Sequence, residues 1–373
     1  MKRVSTVLGL VAGVAAIGSF ALGCGSSDSS SSSSDAGAST ADAGPVTLAT
    51  PPAKPATGTA TSTRKVFAIS KLYLGDTDRS DVSSSNAWKQ FGYDLDGTYT
   101  KTSKTGTCKP ISDGVVVLDG TNGIDNSFGQ NILAALQKAA SGFNEPSKTV
   151  TETIANGDFT LILDTTGLDD TATQTASGLT GQLFVGGKLG APAKFDGTDN
   201  WPVIGALLTD PSDATKGSKI KFSDAYINGG TWVNGSKSDV TLAISVQGVS
   251  LNLQIHNAII SAKHSSPNKL TEGTVAGYIA VSEIIETIGK VAGRLTPEAC
   301  PGKSLFNQVR SIIESNADIR LTGADATKDC DAISIGLGFE ATTIAAPSVV
   351  APETPPGEDP CAADAGAGDA GTP

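Results

Sequence analysis

Residues 240–260 read VTLAISVQGVSLNLQIHNAII, and apolar residues alternate in them with polar or small ones. The alternation holds over 240–246, changes phase at Gly248 and resumes over 249–255. A period of two residues predicts β-strands with one buried face, and a glycine at the change of phase predicts a β-bulge or a hairpin-like bend. This stretch therefore predicts a domain whose core is an antiparallel β-structure.

Shorter periodic segments lie on both sides of this stretch. Further strands are predicted over 64–74, 115–118, 159–164, 181–185, 220–227 and 332–339. Apolar residues at helical spacing predict helices over 127–142, 281–295 and 305–316. The order of these elements predicts a β-rich α+β domain, in which an antiparallel sheet or a sandwich packs against about three helices.

The two ends differ in composition from the middle. Serine is unbroken from Ser29 to Ser34, and residues 24–63 and 346–373 contain few large apolar residues. Such segments bury too little surface to offset their conformational entropy. We therefore expect a signal peptide over 1–23, a tether over 24–63, one globular domain over 64–345 and a low-complexity tail over 346–373.

The N-terminus carries a pattern for export. Lys2 and Arg3 precede an uncharged stretch, and the small residues of Ala21-Leu22-Gly23 come directly before Cys24. This resembles the lipobox of bacterial lipoproteins, with Ala21 where leucine is usual. The resemblance implies that the chain is cleaved before Cys24 and that Cys24 carries a diacylglyceryl group and an acylated amine. The alternative is an uncleaved transmembrane anchor, because about 20 apolar residues can cross a bilayer.

The residue after the lipidated cysteine bears on localisation. Gly25, not aspartate, stands there, so the inner-membrane retention signal of some bacteria is absent. We therefore expect an outer-membrane lipoprotein that is tethered through its lipid, and the periplasmic and surface-exposed sides both stay open.

Four cysteines remain once Cys24 is lipidated. An even number in an exported chain predicts two disulfides. Cys300 with Cys330 would staple the intervening helix, which leaves Cys108 with Cys361, although Cys361 could also stay free. No Cys-x-x-Cys pair or Cys/His cluster indicates zinc.

Charge limits the class of partner. The net charge is −11, and lysine and arginine are scattered singly among acidic and neutral residues. Nucleic acid would require a basic stripe, and an anionic membrane surface is disfavoured for the same reason. The sequence does not identify a protein or small-molecule partner.

Acidic loops are the strongest candidates for a binding site. Asp119, Asn122 and Asp125 lie in DGTNGID, and Asp76 and Asp78 lie in GDTD. Calcium takes six to eight oxygen ligands, which short acidic and amide side chains on a glycine-turned backbone can supply. DGTNGID resembles the Asp/Asn/Gly calcium loops of exported proteins but departs from the EF-hand pattern. Ordinary turns use the same residues, so calcium is one of two interpretations; weaker acidic loops occur at 94–97 and 196–200.

Catalytic motifs do not stand out. The chain has two histidines, His256 and His264, both expected at the surface, and no nucleophile elbow, phosphate loop or zinc helix. A carboxylate-based hydrolase needs only two acids in a cleft, which Trp201 or Trp232 could line. Burial is the stronger expectation for both tryptophans.

The functional hypotheses are therefore ordered. The first is a non-catalytic binding or structural domain, stabilised by calcium at the acidic loops. The second is a carrier, because the hairpin over 240–260 resembles in style the lipid-carrying half-barrels of envelope lipoproteins, and the third is the hydrolase. The chain also resembles uncharacterised Asp/Gly-rich lipoproteins exported by Gram-negative bacteria, through its lipobox, residues 75–78 and residues 122–129. This resemblance implies a location but no mechanism.

Overall fold

A computed structural model describes residues 47–102, 106–111, 114, 116–139, 144–246, 249–295, 297–352 and 361. The strands are β1 (Arg64–Tyr73), β2 (Cys108–Lys109), β3 (Thr160–Thr166), β4 (Ala176–Gly186), β5 (Ile220–Asn228), β6 (Thr231–Val233), β7 (Ser238–Val246), β8 (Val249–Ser266), β9 (Lys269–Ala280), β10 (Asp325–Asp329) and β11 (Ala332–Thr343). The helices are α1 (Leu133–Ala139), α2 (Pro146–Ala155), α3 (Val281–Leu295) and α4 (Ser304–Ser315), and a π-helical turn, Phe128–Ile132, precedes α1. Among the described residues, no helix is long and apolar enough to cross a membrane.

Eight of the strands close into an antiparallel barrel. The order around it is β1, β11, β9, β8, β6, β5, β4 and β3, and β3 pairs with β1 again. Closure depends on the three-residue strand β6, which pairs with β5 on one side and with β8 on the other. The predicted α+β fold, an antiparallel sheet or sandwich packed by about three helices, is therefore wrong. Closure of the barrel could not be predicted, because β6 is too short to show a periodicity and its partner in β8 lies about thirty residues away.

The hairpin predicted over 240–260 is present. β7 and β8 pair antiparallel from Ser238 with Ala258 to Val246 with Val249, and residues 247–248 lie outside the described residues. β8 then runs on to Ser266, and its residues 261–263 pair with β6. β6 and β7 therefore lie along successive parts of one edge of β8. No ladder joins β7 to β5 among the described strands, so hydrogen bonding around the barrel is interrupted there.

Strands β1, β3, β9 and β11 are buried on both faces over much of their length. In β1, Phe67 and Ile69 belong to the interior cluster, whereas Val66 and Ala68 lie outside the barrel. The outer face is covered by the segment 187–219, whose Trp201, Val203 and Leu208 pack against these residues. Burial of each large apolar side chain stabilises the fold by about 1.5–3 kcal/mol, so both layers hold the barrel together.

Helix α2 lies against one end of the barrel. It contacts β1 and β7, and its Val150 and Ile154 are fully buried in the interior cluster. Its hydroxyl groups also accept hydrogen bonds from the end of β1 and the residue after it. Leu72 N donates to Thr151 Oγ1 at 3.2 Å, and Leu74 N donates to Ser147 Oγ at 2.8 Å. The sequence does not predict α2, because Val150 and Ile154 are its only large apolar residues and two residues are too few to show a helical period.

The contacts of the folded unit extend beyond the expected limits at residues 64 and 345. Upstream, Ala49 N donates to Asn122 O, and Asp94 N donates to Ala49 O, both at 2.8 Å. Downstream, Val350 forms a β-bridge with Val203. Residues 1–23, predicted to be a signal peptide, and Cys24 lie outside the described residues.

The structure contains two disulfides, as expected, but the predicted pairing is wrong. Cys108 is joined to Cys330 with a Cα–Cα distance of 5.2 Å, and Cys300 is joined to Cys361 at 5.4 Å. The first bond lies where β2 and β10 pair, since Cys330 directly follows β10. The sequence favours a disulfide between Cys300 and Cys330 because these cysteines are close in sequence on either side of a predicted helix. The small β2–β10 sheet, which sets the actual pairing, has no periodic signal in the sequence.

Candidate functional site

The loop over 119–128 is shaped by two residues with left-handed backbone. Asn122 has φ of 56° and Gly123 has φ of 81°, a conformation that glycine and asparagine adopt at low cost. The reversal lets Gly120 N donate to Ile124 O at 2.7 Å, which closes the loop. Asp119 and Asp125 are thereby placed on the same side of a tight turn.

Asn126 fixes this loop to the barrel. Its buried amide nitrogen donates to the carbonyls of Trp88, Phe91 and Gly336, and its Oδ1 accepts from Gly129 N and Gly336 N. Gly336 is required at this contact, because a Cβ there would overlap the Phe91 carbonyl. Five hydrogen bonds from one buried side chain make the loop part of the rigid scaffold.

A second loop brings further carboxylates to Asp125. Asp125 N donates to Tyr93 O at 3.0 Å, and Leu95 N donates to Asp125 Oδ2 at 2.7 Å. Asp94 and Asp96 flank Leu95 and cap their own turn, accepting from the amides of Gly97 and Thr98. As a result, Asp94, Asp96 and Asp125 each present an oxygen within 4.8 Å of the other two.

Two more carboxylates lie beside these three. Asp96, Asp119, Asp125 and Asp318 line one cavity of about 10 Å³ next to the Cys108–Cys330 disulfide. Asp119 accepts from Thr100 N at 2.6 Å, and Asp318 accepts from both the amide and the hydroxyl of Ser334. We call the five residues the acidic cluster: Asp94, Asp96, Asp119, Asp125 and Asp318.

Burial and mutual repulsion raise the pKa values of aspartates in this cluster. Burial, followed by the charges of the neighbouring aspartates, raises the pKa of Asp125 well above its usual value and that of Asp119 to about 7. Burial is also the main reason that the pKa of Asp318 rises to about 7 and that the pKa of Asp94 rises. Within the described part of the chain, none of the five carboxylates lies in a salt bridge, so no basic side chain offsets their charge there.

This arrangement suits a hard divalent cation. Oxygens bound to one calcium at about 2.3–2.6 Å lie at most roughly 5 Å apart, and the oxygens of Asp94, Asp96 and Asp125 satisfy that limit. Each carboxylate has two oxygens with about four lone pairs in all, so the hydrogen bonds already made leave capacity for a metal. Carbonyl oxygens or water would complete the coordination.

The structure assembles part of the predicted site. Asp119 and Asp125 join the acidic cluster, but the side chain of Asn122 is exposed. Asp76 accepts from the amide and hydroxyl of Ser147 at the start of α2, and Asp78 accepts from the amides of Ser80 and Val82 in its own turn. Asn122, Asp76 and Asp78 therefore do not belong to the cluster and have roles in turns and helix ends.

Asp94, Asp96 and Asp318 complete the cluster from other parts of the chain. Asp94 and Asp96 stand in a loop that the sequence indicated only weakly. Asp318 follows α4 and reaches the site because its carboxyl binds Ser334 in β11. No local pattern identifies Asp318, because its proximity to Asp119 and Asp125 depends on the tertiary fold.

The barrel interior contains a second cavity, of about 20 Å³. Its walls come from β1, β3, β4, β7, β8, β9 and β11, and the residues that line it are all apolar: Phe67, Ile69, Leu161, Leu163, Leu183, Val240, Leu242, Ile255, Ile260, Val275, Phe339 and Ala341. A space with no polar partner holds water poorly. The cavity can therefore accept an apolar group.

Trp201 and Trp232 do not line the kind of open cleft that the hydrolase hypothesis requires. Trp201 and Trp232 are fully buried, as expected for core residues, and so neither lines an open groove. His256 is partly exposed, with its ring nitrogens 2.8 Å from Glu283 Oε2 and 3.3 Å from Asp239 Oδ2. His264, expected at the surface, is fully buried, and that expectation is wrong.

The chain matches no protein-family model, no curated protein and no solved structure.

Proposed function

We propose that this protein is a lipid-anchored protein of the bacterial envelope whose barrel is a non-catalytic binding or structural domain stabilised by calcium. The observation that carries the proposal is the approach of Asp94, Asp96 and Asp125 within 4.8 Å of one another. A bound cation would offset both the burial and the mutual repulsion that raise the pKa values of this cluster. Its binding energy would add to the folding energy, because the unfolded chain does not hold these oxygens together.

The position of the cluster explains what calcium would stabilise. Asp94 and Asp96 belong to one loop, Asp125 to a second, and Asp318 to the segment between α4 and β10. These three segments are far apart in sequence and cover one side of the barrel. A cation held by Asp94, Asp96 and Asp125 would tie the first two segments together, and Leu95 already packs into the apolar cluster that contains Ile319 of the third.

Thermal unfolding of the folded unit, residues 47–361, tests this proposal. The midpoint is measured in EDTA and then in millimolar calcium, with magnesium as the comparison ion. We expect calcium to raise the midpoint more than magnesium does, since magnesium demands a smaller and more regular octahedral site. An unchanged midpoint in calcium would reduce the acidic cluster to a set of turn and capping residues.

The lipid anchor has its own test. Cys24→Ala should release the full-length protein from membranes into the soluble fraction, whereas Cys361→Ala should leave it attached. Retention of the Cys24→Ala protein after carbonate washing would refute attachment through a lipid at Cys24.

A second candidate function is carriage of a small apolar molecule. The apolar cavity inside the closed barrel favours it, and apolar cavities in proteins bind apolar guests. Binding of xenon in pressurised crystals measures this directly. Xenon density between Leu163, Val240 and Ile260 would support the carrier, and an empty interior would remove it.

A further inference from the structure

We propose that the barrel interior is a site for a single-chain alkyl alcohol or similar amphiphile, with the chain in the apolar cavity and the hydroxyl on the imidazole of His264. This inference rests on the second candidate function and adds the chemical class of the ligand. The evidence is the position of His264 on the inner face of the barrel, the unsatisfied nitrogens of its ring and its contact with Phe67, which lines the cavity.

His264 lies on the inner face of the barrel. Along β8, Ile260, Ala262 and His264 share one face because side chains alternate along a strand, and Ile260 lines the apolar cavity. Ala262 is paired with the fully buried Trp232 of β6. His264 is therefore the next inward side chain beyond the apolar interior, toward the barrel end where β8 turns into β9.

Neither ring nitrogen of His264 makes a hydrogen bond of ordinary geometry in the described part of the protein, although the backbone carbonyls of Thr171 and Pro267 lie near the ring, and the side chain is fully buried. Buried polar groups are nearly always hydrogen-bonded, so an unpaired one calls for a partner. Burial and the nearby charge of Lys65 lower the pKa of His264, which keeps the ring neutral. A neutral imidazole offers one donor and one acceptor, and a hydroxyl group complements either.

Phe67 links His264 to the cavity. Its side chain lines the cavity, and its ring meets the His264 ring edge-on with centroids 6.2 Å apart. A change of the Phe67 rotamer would therefore bring the apolar space and the imidazole into contact. Lys65, the next inward residue of β1, is already engaged by Asp170 at 2.6 Å and by Pro267 O at 3.0 Å, so His264 is the group left for a ligand.

Only the length of the barrel interior matches one alkyl chain. From His264 to Ile255, nine residues of β8 span roughly 30 Å along the strand, or a little over 20 Å along the axis for a strand tilt of about 35–45°. One membrane acyl chain spans about 15 Å, half of the hydrocarbon core. The cavity of about 20 Å³ is smaller than such a chain. Binding therefore requires side chains that line the cavity, Phe67 among them, to shift.

Two isomeric probes separate the head group from the chain. 1-Octanol and heptyl methyl ether have the same atoms, but only the alcohol has a hydroxyl donor. Their binding to the full-length protein is followed by NMR through the methyl groups of the cavity and the imidazole ¹⁵N signals. The chain has only two histidines, so His256, on the outside, serves as the internal reference. We expect 1-octanol to shift His264 and not His256, and to bind about tenfold more tightly than the ether.

Two variants make the result specific. His264→Leu should fold, bind both probes and lose the preference for the alcohol, whereas the matched change His256→Leu should keep it. His264→Gln retains a donor and an acceptor and should keep part of the preference, which guards against a folding defect in the leucine variant.

The outcomes distinguish the inference from the function on which it rests. If the cavity methyl groups shift equally with both probes and His264 does not respond, the carrier function stands and the role of His264 is refuted. If no methyl group responds to either probe, the carrier function and this inference fail together.

Discussion

The replacement of Asp125 by asparagine tests the acidic cluster most sharply. Asp125 is buried and accepts a hydrogen bond from Leu95 N, and the asparagine oxygen can accept the same bond. The change therefore preserves the shape of the loop while removing one charge and one carboxylate oxygen. In EDTA we expect Asp125→Asn to be at least as stable as the wild type, because mutual repulsion in the cluster falls.

The calcium response should change much more. Calcium sites of extracellular modules have Kd near 10⁻⁴–10⁻³ M. At about 100 times Kd, such as 10 mM calcium over 0.1 mM, binding stabilises the wild type by about 2.7 kcal/mol. For a domain of this size that is a rise in Tm of about 5 °C. A variant that binds about 100-fold more weakly would gain only about 0.4 kcal/mol at the same concentration, a shift below about 1 °C.

Differential scanning calorimetry in EDTA and in calcium measures both shifts. Asp199→Asn is the matched control, because Asp199 is also buried and also accepts backbone hydrogen bonds, from Lys194 and Phe195, but lies outside the cluster. It should keep the full calcium response. The reasoning is refuted if Asp125→Asn retains the wild-type response, or if Asp199→Asn loses it equally.

Three further predictions concern pH, a helix end and the disulfides. The raised pKa values of the acidic cluster mean that its contribution to stability is complete below the ordinary aspartate pKa near 4 and is lost as pH rises through about 7. In EDTA, Tm should therefore fall by several degrees between pH 5 and pH 8, and calcium should reduce this fall. A Tm in EDTA that rises with pH contradicts this account. Asp76→Ala should cost about 1 kcal/mol in urea unfolding through the loss of its bonds at the start of α2, with the calcium response intact; a lost response would place Asp76 in the metal site. Peptide mapping without reduction should recover Cys108 linked to Cys330 and Cys300 linked to Cys361. Removal of the Cys108–Cys330 disulfide should lower the free energy of unfolding by about 2–5 kcal/mol. A peptide that links Cys300 to Cys330 would contradict the fold at β2 and β10.

The sequence predicts local elements of this fold better than their assembly. β1, β3, β5, α3 and α4 lie close to where alternation or helical spacing places them. That information identifies which face of a strand is buried but not which strand lies beside it. Closure through β6 and the covering of the barrel by residues 187–219 depend on contacts that are distant in sequence, and neither leaves a local pattern.

His264 shows how one irregularity reverses a prediction. Ile255 points inward, so unbroken alternation would place every even-numbered residue after it on the outside. The pairing of β8 with β9 shifts register between His256 and Ile259, and Asn257 there has φ of 51°. The extra residue of this bulge changes the phase, so Ile260, Ala262 and His264 all face inward.

The candidate metal site was predictable to a similar extent. Asp119 and Asp125 are close in sequence and on one glycine-rich turn, so the loop itself indicates them. Asp94 and Asp96 come from a loop about thirty residues earlier, and Asp318 lies near the other end of the chain. Only the folded barrel brings the five carboxylates together, and the same fold separates them from Asp76 and Asp78.

The most direct test of the calcium proposal is anomalous scattering from crystals of the folded unit grown in calcium, compared with crystals grown in EDTA. The proposal predicts one strong peak within about 2.3–2.6 Å of oxygens from Asp94, Asp96 and Asp125, absent in EDTA. The absence of a peak there at a calcium concentration well above 1 mM would contradict the claim that these carboxylates form a calcium site.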